Sequence, residues 1–365
     1  MPDAPKVLVT GAGGFIGSRI VEMMHETGFA TVHAGVRRWA AAARIGRFPV
    51  EIVQCDVMDE AQVRLATHGM DWVVHCAVGP REVTIQGMEN VLRAAREAGV
   101  KRVVHLSTID VYGEVSGETA EDAPLTPTGN AYGDSKIEAE QICRRYEAEG
   151  LPVVILRPSI VYGPYSALWT IEPAERLQVH PWPFARAFCQ GICNLVYVDD
   201  LVHAVMLALA RPEAVGEAFN INGPDRPTWY EYFEALNNAM SLPPLVPPAR
   251  TASTLSAWTM QPVRAAAKFA LRHFQAPIMT MYHRYDVAKK VMKLAERMIK
   301  KAPTANEFRL FSKSGRFATA KAERLIGYRA RFGMADGISM SVQWLRHHGF
   351  IKARAPSLTR DQRAA

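Results

Sequence analysis

The chain has 365 residues, 48% of them hydrophobic and 22% charged, with a formal net charge of +7. This is ordinary globular composition, long enough for a nucleotide-binding domain with a smaller lobe and a sizeable core. Much of the positive excess sits in Lys289, Lys290, Lys293, Arg297, Lys300 and Lys301 with no interleaved aromatic stripe, so a nucleic-acid partner is not expected.

The first apolar run, 6–10, starts close to Met1, which leaves no room for a signal peptide. No apolar run reaches the roughly 18 residues that a transmembrane helix needs. The five cysteines, Cys55, Cys76, Cys143, Cys189 and Cys193, are odd in number and scattered, unlike a disulfide framework. Cys189 and Cys193 lack a second Cys/His pair, so no metal site is expected. A reduced, cytoplasmic protein follows.

Short β-branched runs at 7–9, 31–36, 50–53, 72–75, 103–106 and 153–156 alternate with helical periods at 15–27, 60–67, 83–98 and 132–149. That rhythm predicts an α/β fold with a parallel sheet covered on both faces. Between the first strand and first helix lie Gly11-Ala12-Gly13-Gly14-Phe15-Ile16-Gly17. Glycine is needed there for a tight turn, for a pyrophosphate to approach the backbone, and for close helix packing. The helix N-terminus then offers free N–H groups to the phosphates. This strand–turn–helix context predicts a Rossmann-like, doubly wound dinucleotide-binding domain.

The second strand ends at Val36-Arg37-Arg38, where an acid would grip a ribose 2′-hydroxyl. Two arginines suit a 2′-phosphate instead, which favours NADP, with NAD as the alternative. Asp56 and Val57, after the third strand, stand where an adenine contact is expected. Tyr132-Gly133-Asp134-Ser135-Lys136 opens a helix, and the i,i+4 spacing puts phenol and ammonium on one face. An adjacent cation favours phenolate, which would bring an otherwise weak acid–base group toward working range.

A strand at 195–198, a helix at 199–210 and a strand at 218–221 follow an irregular stretch, and from Thr228 the pattern is mostly helical. The boundaries read as 1–164 plus 194–222 for the dinucleotide-binding domain, 165–193 plus 223–350 for a mostly helical C-terminal substrate lobe, and 351–365 for a flexible tail. Trp169, Trp182, Phe184, Phe188, Trp229 and Tyr230 could line an apolar pocket or form the lobe's core. From 252 to 301, aromatics and methionines oppose lysines, which fits a plain helical part of the lobe, a lid over the substrate, or peripheral membrane contact.

The glycine turn, Tyr132 with Lys136, and Leu106-Ser107-Thr108-Ile109-Asp110-Val111-Tyr112-Gly113 occur together. With His75-Cys76-Ala77, the run from Leu156 to Pro164, and Val196-Tyr197-Val198-Asp199-Asp200, the chain resembles the extended short-chain dehydrogenase/reductase family of NAD-dependent epimerases and dehydratases. The resemblance covers nearly the whole chain apart from about 250 to 310. It implies an oxidoreductase in which Thr108 bonds the reacting oxygen, Tyr132 moves the proton, and Lys136 holds the nicotinamide ribose. It implies cofactor contacts at Cys76, Ala77, Pro158 and Ile160, and a homodimer through the helices at 83–98 and 132–149.

The sugar-nucleotide members often carry Asn where Ser159 stands, and an Arg-Asp pair where this chain has Cys193-Asn194. These departures look more like the dihydroflavonol-reductase and 3β-hydroxysteroid-dehydrogenase branch, and imply hydride transfer at an apolar alcohol or ketone. A nucleotide-sugar epimerase or dehydratase is the alternative. Asp110 matches an acid of the dehydratases, whereas Ile109 replaces its neighbour.

Overall fold

The computed structural model describes residues 4–178, 182–249 and 304–351. The segment 252–301, with its three readings, and residues 352–365 of the expected tail lie outside the described residues. In chain order the strands are β1 (Lys6–Thr10), β2 (Thr31–Val36), β3 (Glu51–Gln54), β4 (Trp72–His75), β5 (Arg102–Leu106), β6 (Gly117–Thr119), β7 (Val153–Pro158), β8 (Ile160–Tyr162), β9 (Leu195–Tyr197), β10 (Ala218–Ile221) and β11 (Gly315–Phe317). The helices are α1 (Phe15–Glu26), α2 (Glu60–Thr67), α3 (Arg81–Glu97), α4 (Ala131–Ala148), α5 (Glu172–Leu177), α6 (Val198–Ala210), α7 (Trp229–Ala239), α8 (Ala305–Phe311), α9 (Ala320–Ile326) and α10 (Met334–His347).

Seven strands form one parallel sheet in the order β10-β7-β5-β4-β1-β2-β3. The expected α/β, doubly wound architecture is therefore present. Leu8, Val73, Val103 and Val153 pair across neighbouring strands and lie at one level of one face. They are buried against Met88, Val91 and Leu92 of α3 and Ala139 and Cys143 of α4. Continuous apolar strands are the consequence of covering both faces.

The chain divides into two units. The first contains the described residues of Met1–Ser166, Asn194–Arg226 and Ser314–Met334. It includes 165–166, 223–226 and 314–334, which were expected in the lobe. Long-range bonds explain the difference: β11 pairs with β6, the Tyr328 hydroxyl donates to the Asn222 carbonyl at 2.9 Å, and the buried Asp200 carboxylate accepts from the Arg331 and Phe332 amides. Directly after Pro158 the chain forms β8, which pairs in parallel with β9.

The second unit contains the described residues of Ala167–Cys193, Pro227–Lys313 and Ala335–Ala365 and is mostly helical. Trp182, Phe184 and Phe233 pack ring on ring, as do Trp229 and Phe311. Trp182, Phe184, Trp229 and Tyr230 are buried, so this cluster is a core. Trp169 lies half-buried beside Trp229. No described helix is long and apolar enough to cross a membrane.

Candidate active site

A parallel sheet sends all its carboxyl ends to one edge, and loops at that edge are where such sheets bind ligands. Gly11 follows β1, Arg37 and Arg38 follow β2, Cys76 and Ala77 follow β4, Thr108 follows β5, and Pro158 ends β7. Residues from Gly11 to Pro158 thus share one edge by topology.

The glycine turn fits a dinucleotide by its steric demands. A Cβ at Gly11, which has φ +68°, would lie 2.8 Å from the Ala77 amide nitrogen. One at Gly17 would lie 2.4 Å from the Gly11 carbonyl oxygen, so any side chain there would push α1 off the turn. Gly14 is the N-cap of α1 and no side chain caps that end. The amides of Phe15, Ile16 and Gly17 therefore belong to a helix terminus open to an anion.

Arg37 and Arg38 are both exposed directly after β2. Asp56 turns its carboxylate back on its own loop, accepting from the Met58 amide at 3.1 Å. Val57 packs against Gly87 of α3, and its carbonyl accepts from Asn90 at 2.9 Å. Ile160 donates its amide to the Asn194 carbonyl at 3.0 Å, fixing the chain just beyond Pro158.

Thr108 is buried and caps the short turn Ile109–Tyr112, its hydroxyl accepting from the Asp110 amide at 3.2 Å. Asn130 caps α4, so Tyr132 stands in its first turn. Tyr132 is 43% exposed, which leaves its ring open to an incoming molecule. Desolvation and the negative charge of Asp110 push its phenol up to about 12, and a hydrogen bond with Thr108 works in the opposite direction.

Lys136 differs from expectation. Its ammonium donates to the Leu106 carbonyl at 2.7 Å, at the end of β5, rather than to the phenol. A buried ammonium must find an acceptor, and the strand-end carbonyl supplies one. Burial lowers its pKa to about 8, against the raising influence of Cys76, Cys143 and Glu140.

One network was not legible as such in the sequence. Glu140, one turn after Lys136, accepts from the Ser107 hydroxyl and from Arg157, whose Nη2 lies 2.7 Å from Oε2. Arg157 also donates to the Tyr112 hydroxyl at 2.8 Å and the Glu121 carbonyl at 3.0 Å. The pair ties α4 to β7 and, through Ser107, to the chain just after β5 and next to Thr108. The available signal was an i,i+4 continuation, Tyr132, Lys136, Glu140, ending in an acid on a buried face.

Residues 7–222 match the model of the NAD dependent epimerase/dehydratase family. An uncharacterized UDP-glucose epimerase of Bacillus subtilis is 27% identical over 253 residues, 60% of this chain and 78% of that protein. Sterol demethylase protein B of Methylococcus capsulatus is 29% identical over 233 residues, 59% of this chain and 69% of that protein. The solved UDP-glucose 4-epimerase of Thermotoga maritima, with UDP-glucose, superposes with a TM-score of 0.69 at 20% identity, covering 94% of this chain and 99% of that one. With its glycine turn, its sheet order and this match, the chain belongs to the NAD dependent epimerase/dehydratase family.

Proposed function

We propose that the chain is an NADP-preferring oxidoreductase that transfers hydride at a secondary alcohol or ketone carbon of a fairly apolar substrate. The observation that carries this reading is the packing of the start of α4 on the turn that Thr108 caps: a Cβ at Gly133, next to Tyr132, would lie 3.2 Å from the Asp110 carbonyl oxygen. The bound nicotinamide supplies or takes the hydride. Thr108 hydrogen-bonds the reacting oxygen, and Tyr132 gives that oxygen its proton. Burial and Asp110 keep the proton on this phenol, the form from which a ketone oxygen is protonated, and the charge of a bound nicotinamide would bring it back toward working range. Lys136 holds the nicotinamide ribose, and Arg37 and Arg38 receive the 2′-phosphate.

The positions that depart from sugar-nucleotide enzymes support the apolar substrate. Ser159 is buried and donates to Asn222 at 2.8 Å. Cys193 is a buried free thiol where the resemblance places an arginine, and Asn194 spends its amide on the Gly315 carbonyl. The relative named for a sterol agrees with that direction. A nucleotide-sugar epimerase is the second reading, favoured by the relatives named for UDP-glucose.

Net cofactor consumption separates the two. Incubated with NADPH and a panel of hydrophobic ketones, the protein should oxidise NADPH in proportion to alcohol formed. Epimerised UDP-glucose without net NADPH oxidation would replace this reading with the second.

A further inference from the structure

The connection between β2 and β3 carries more than Arg37 and Arg38. It folds into a short turn, Trp39–Arg44, that lies on the phosphate-binding turn. A Cβ at Gly13 would meet the Ala41 carbonyl oxygen at 2.4 Å. At the end of this turn the Arg44 guanidinium approaches the Ser18 hydroxyl, 3.5 Å away, and Ser18 in turn donates to the carbonyl of Phe15, the first residue of α1. The other side of the guanidinium covers the ring of Tyr165, 4.2 Å from its centroid.

Tyr165 follows Gly163 and Pro164, just beyond β8, and has φ +70°. Bulky side chains rarely adopt that conformation, and such strain persists only where surrounding contacts over-determine it. Glycine would sit there freely. An aromatic at a position that favours glycine, held against an arginine from a distant loop, indicates that the ring is kept for the contact.

We infer that Arg44 and Tyr165 are a positioning pair that clamps the β2–β3 connection onto the phosphate-binding turn and so tightens binding of the dinucleotide. This rests on the reading that a dinucleotide binds at the glycine turn. The clamp acts on the wall of the site. Its effect is therefore common to NADPH and NADH, unlike that of Arg37 and Arg38.

The test is fluorescence titration of the full chain with NADPH and NADH, alongside thermal unfolding. Tyr165→Gly removes the ring and the strain together. It should unfold no earlier than wild type, yet bind both nucleotides about tenfold more weakly, the scale of one partly desolvated cation–aromatic contact. Arg44→Gln should show the same loss, the double variant no further loss, and Tyr165→Phe wild-type binding. A ratio of NADPH to NADH affinity that stays constant in all variants supports the clamp. Wild-type binding by Tyr165→Gly overturns it, and so does a loss confined to NADPH, which would make Arg44 a 2′-phosphate ligand. A wild-type chain that binds neither nucleotide overturns the cofactor reading itself, and the clamp with it.

Discussion

Replacing Glu140 with Ala should cost about 4 kcal/mol of stability, because it leaves a buried guanidinium without its counter-charge. The side chains of Arg157 and Glu140 are only 5% and 2% exposed. Glu140 accepts the Arg157 Nε at 3.0 Å and Nη2 at 2.7 Å, and also the Ser107 hydroxyl. The variant strands those donors in a site with little water, whereas Arg157 keeps only Tyr112 and the Glu121 carbonyl. Breaking a buried pair from one side costs about 3–5 kcal/mol, and replacing both partners with apolar residues costs much less. Chemical denaturation of Glu140→Ala, and of Glu140→Leu, Arg157→Leu and the Glu140→Leu/Arg157→Leu double variant as a closed cycle, measures this directly. The double variant should be more stable than either single one. Because Ser107 adjoins Thr108 and Glu140 follows Lys136, the single variants should also lose turnover. A Glu140→Ala cost below about 1 kcal/mol, or a double variant that loses the sum of the singles, would refute the reasoning.

Acid should destabilise the fold through two stacked histidines, His75 and His105, 5.9 Å apart. Burial first, then the charge of Lys136, lowers His75 to about 3, and the same causes hold His105 well below its ordinary value. With folded values below the unfolded one of about 6.5, the unfolded state binds more protons, so stability is full above that pH and falls as the pH drops below it, by about 2 kcal/mol from His75 at pH 5, with His105 acting in the same direction. His105→Leu should flatten the slope of unfolding free energy against pH; an unchanged slope would contradict the assignment. Arg37→Asp should reverse a preference for NADPH over NADH in paired titrations, and equal affinities in both proteins would remove the NADP assignment. The expected homodimer would meet on α3 and α4, which are bridged at their exposed sides by the pairs Arg145–Glu89 and Arg81–Glu138. Light scattering should show a dimer that Arg145→Glu weakens, and a monomeric wild type at micromolar concentration would exclude that assembly.

The sheet and the glycine turn were legible because their chemistry is local. Tight turns demand small residues at fixed spacing, and strands covered on both faces read as unbroken apolar runs. The pairs β6–β11 and β8–β9 were not legible, since three-residue strands fall below what periodicity resolves. The place of the segment 314–334 is set by contacts across more than a hundred residues, such as Asp200 with Arg331. The aromatic set around Trp182 and Trp229 reads alike as pocket or core, because both are apolar; the ring packing showed which. The i,i+4 rule put Lys136 beside Tyr132, but an ammonium on a flexible stem goes to the nearest buried acceptor, here the Leu106 carbonyl. Tyr165 carried no sequence signal, because its significance lies in a backbone angle.

The central claim is that Tyr132 moves the proton while the protein's other groups hold the cofactor. Tyr132→Phe deletes only the phenolic hydroxyl. Single-turnover NADPH oxidation, measured with whichever ketone the panel identifies, should slow by roughly 10²-fold or more, with the NADPH dissociation constant unchanged. Near-normal turnover in that variant would contradict the account.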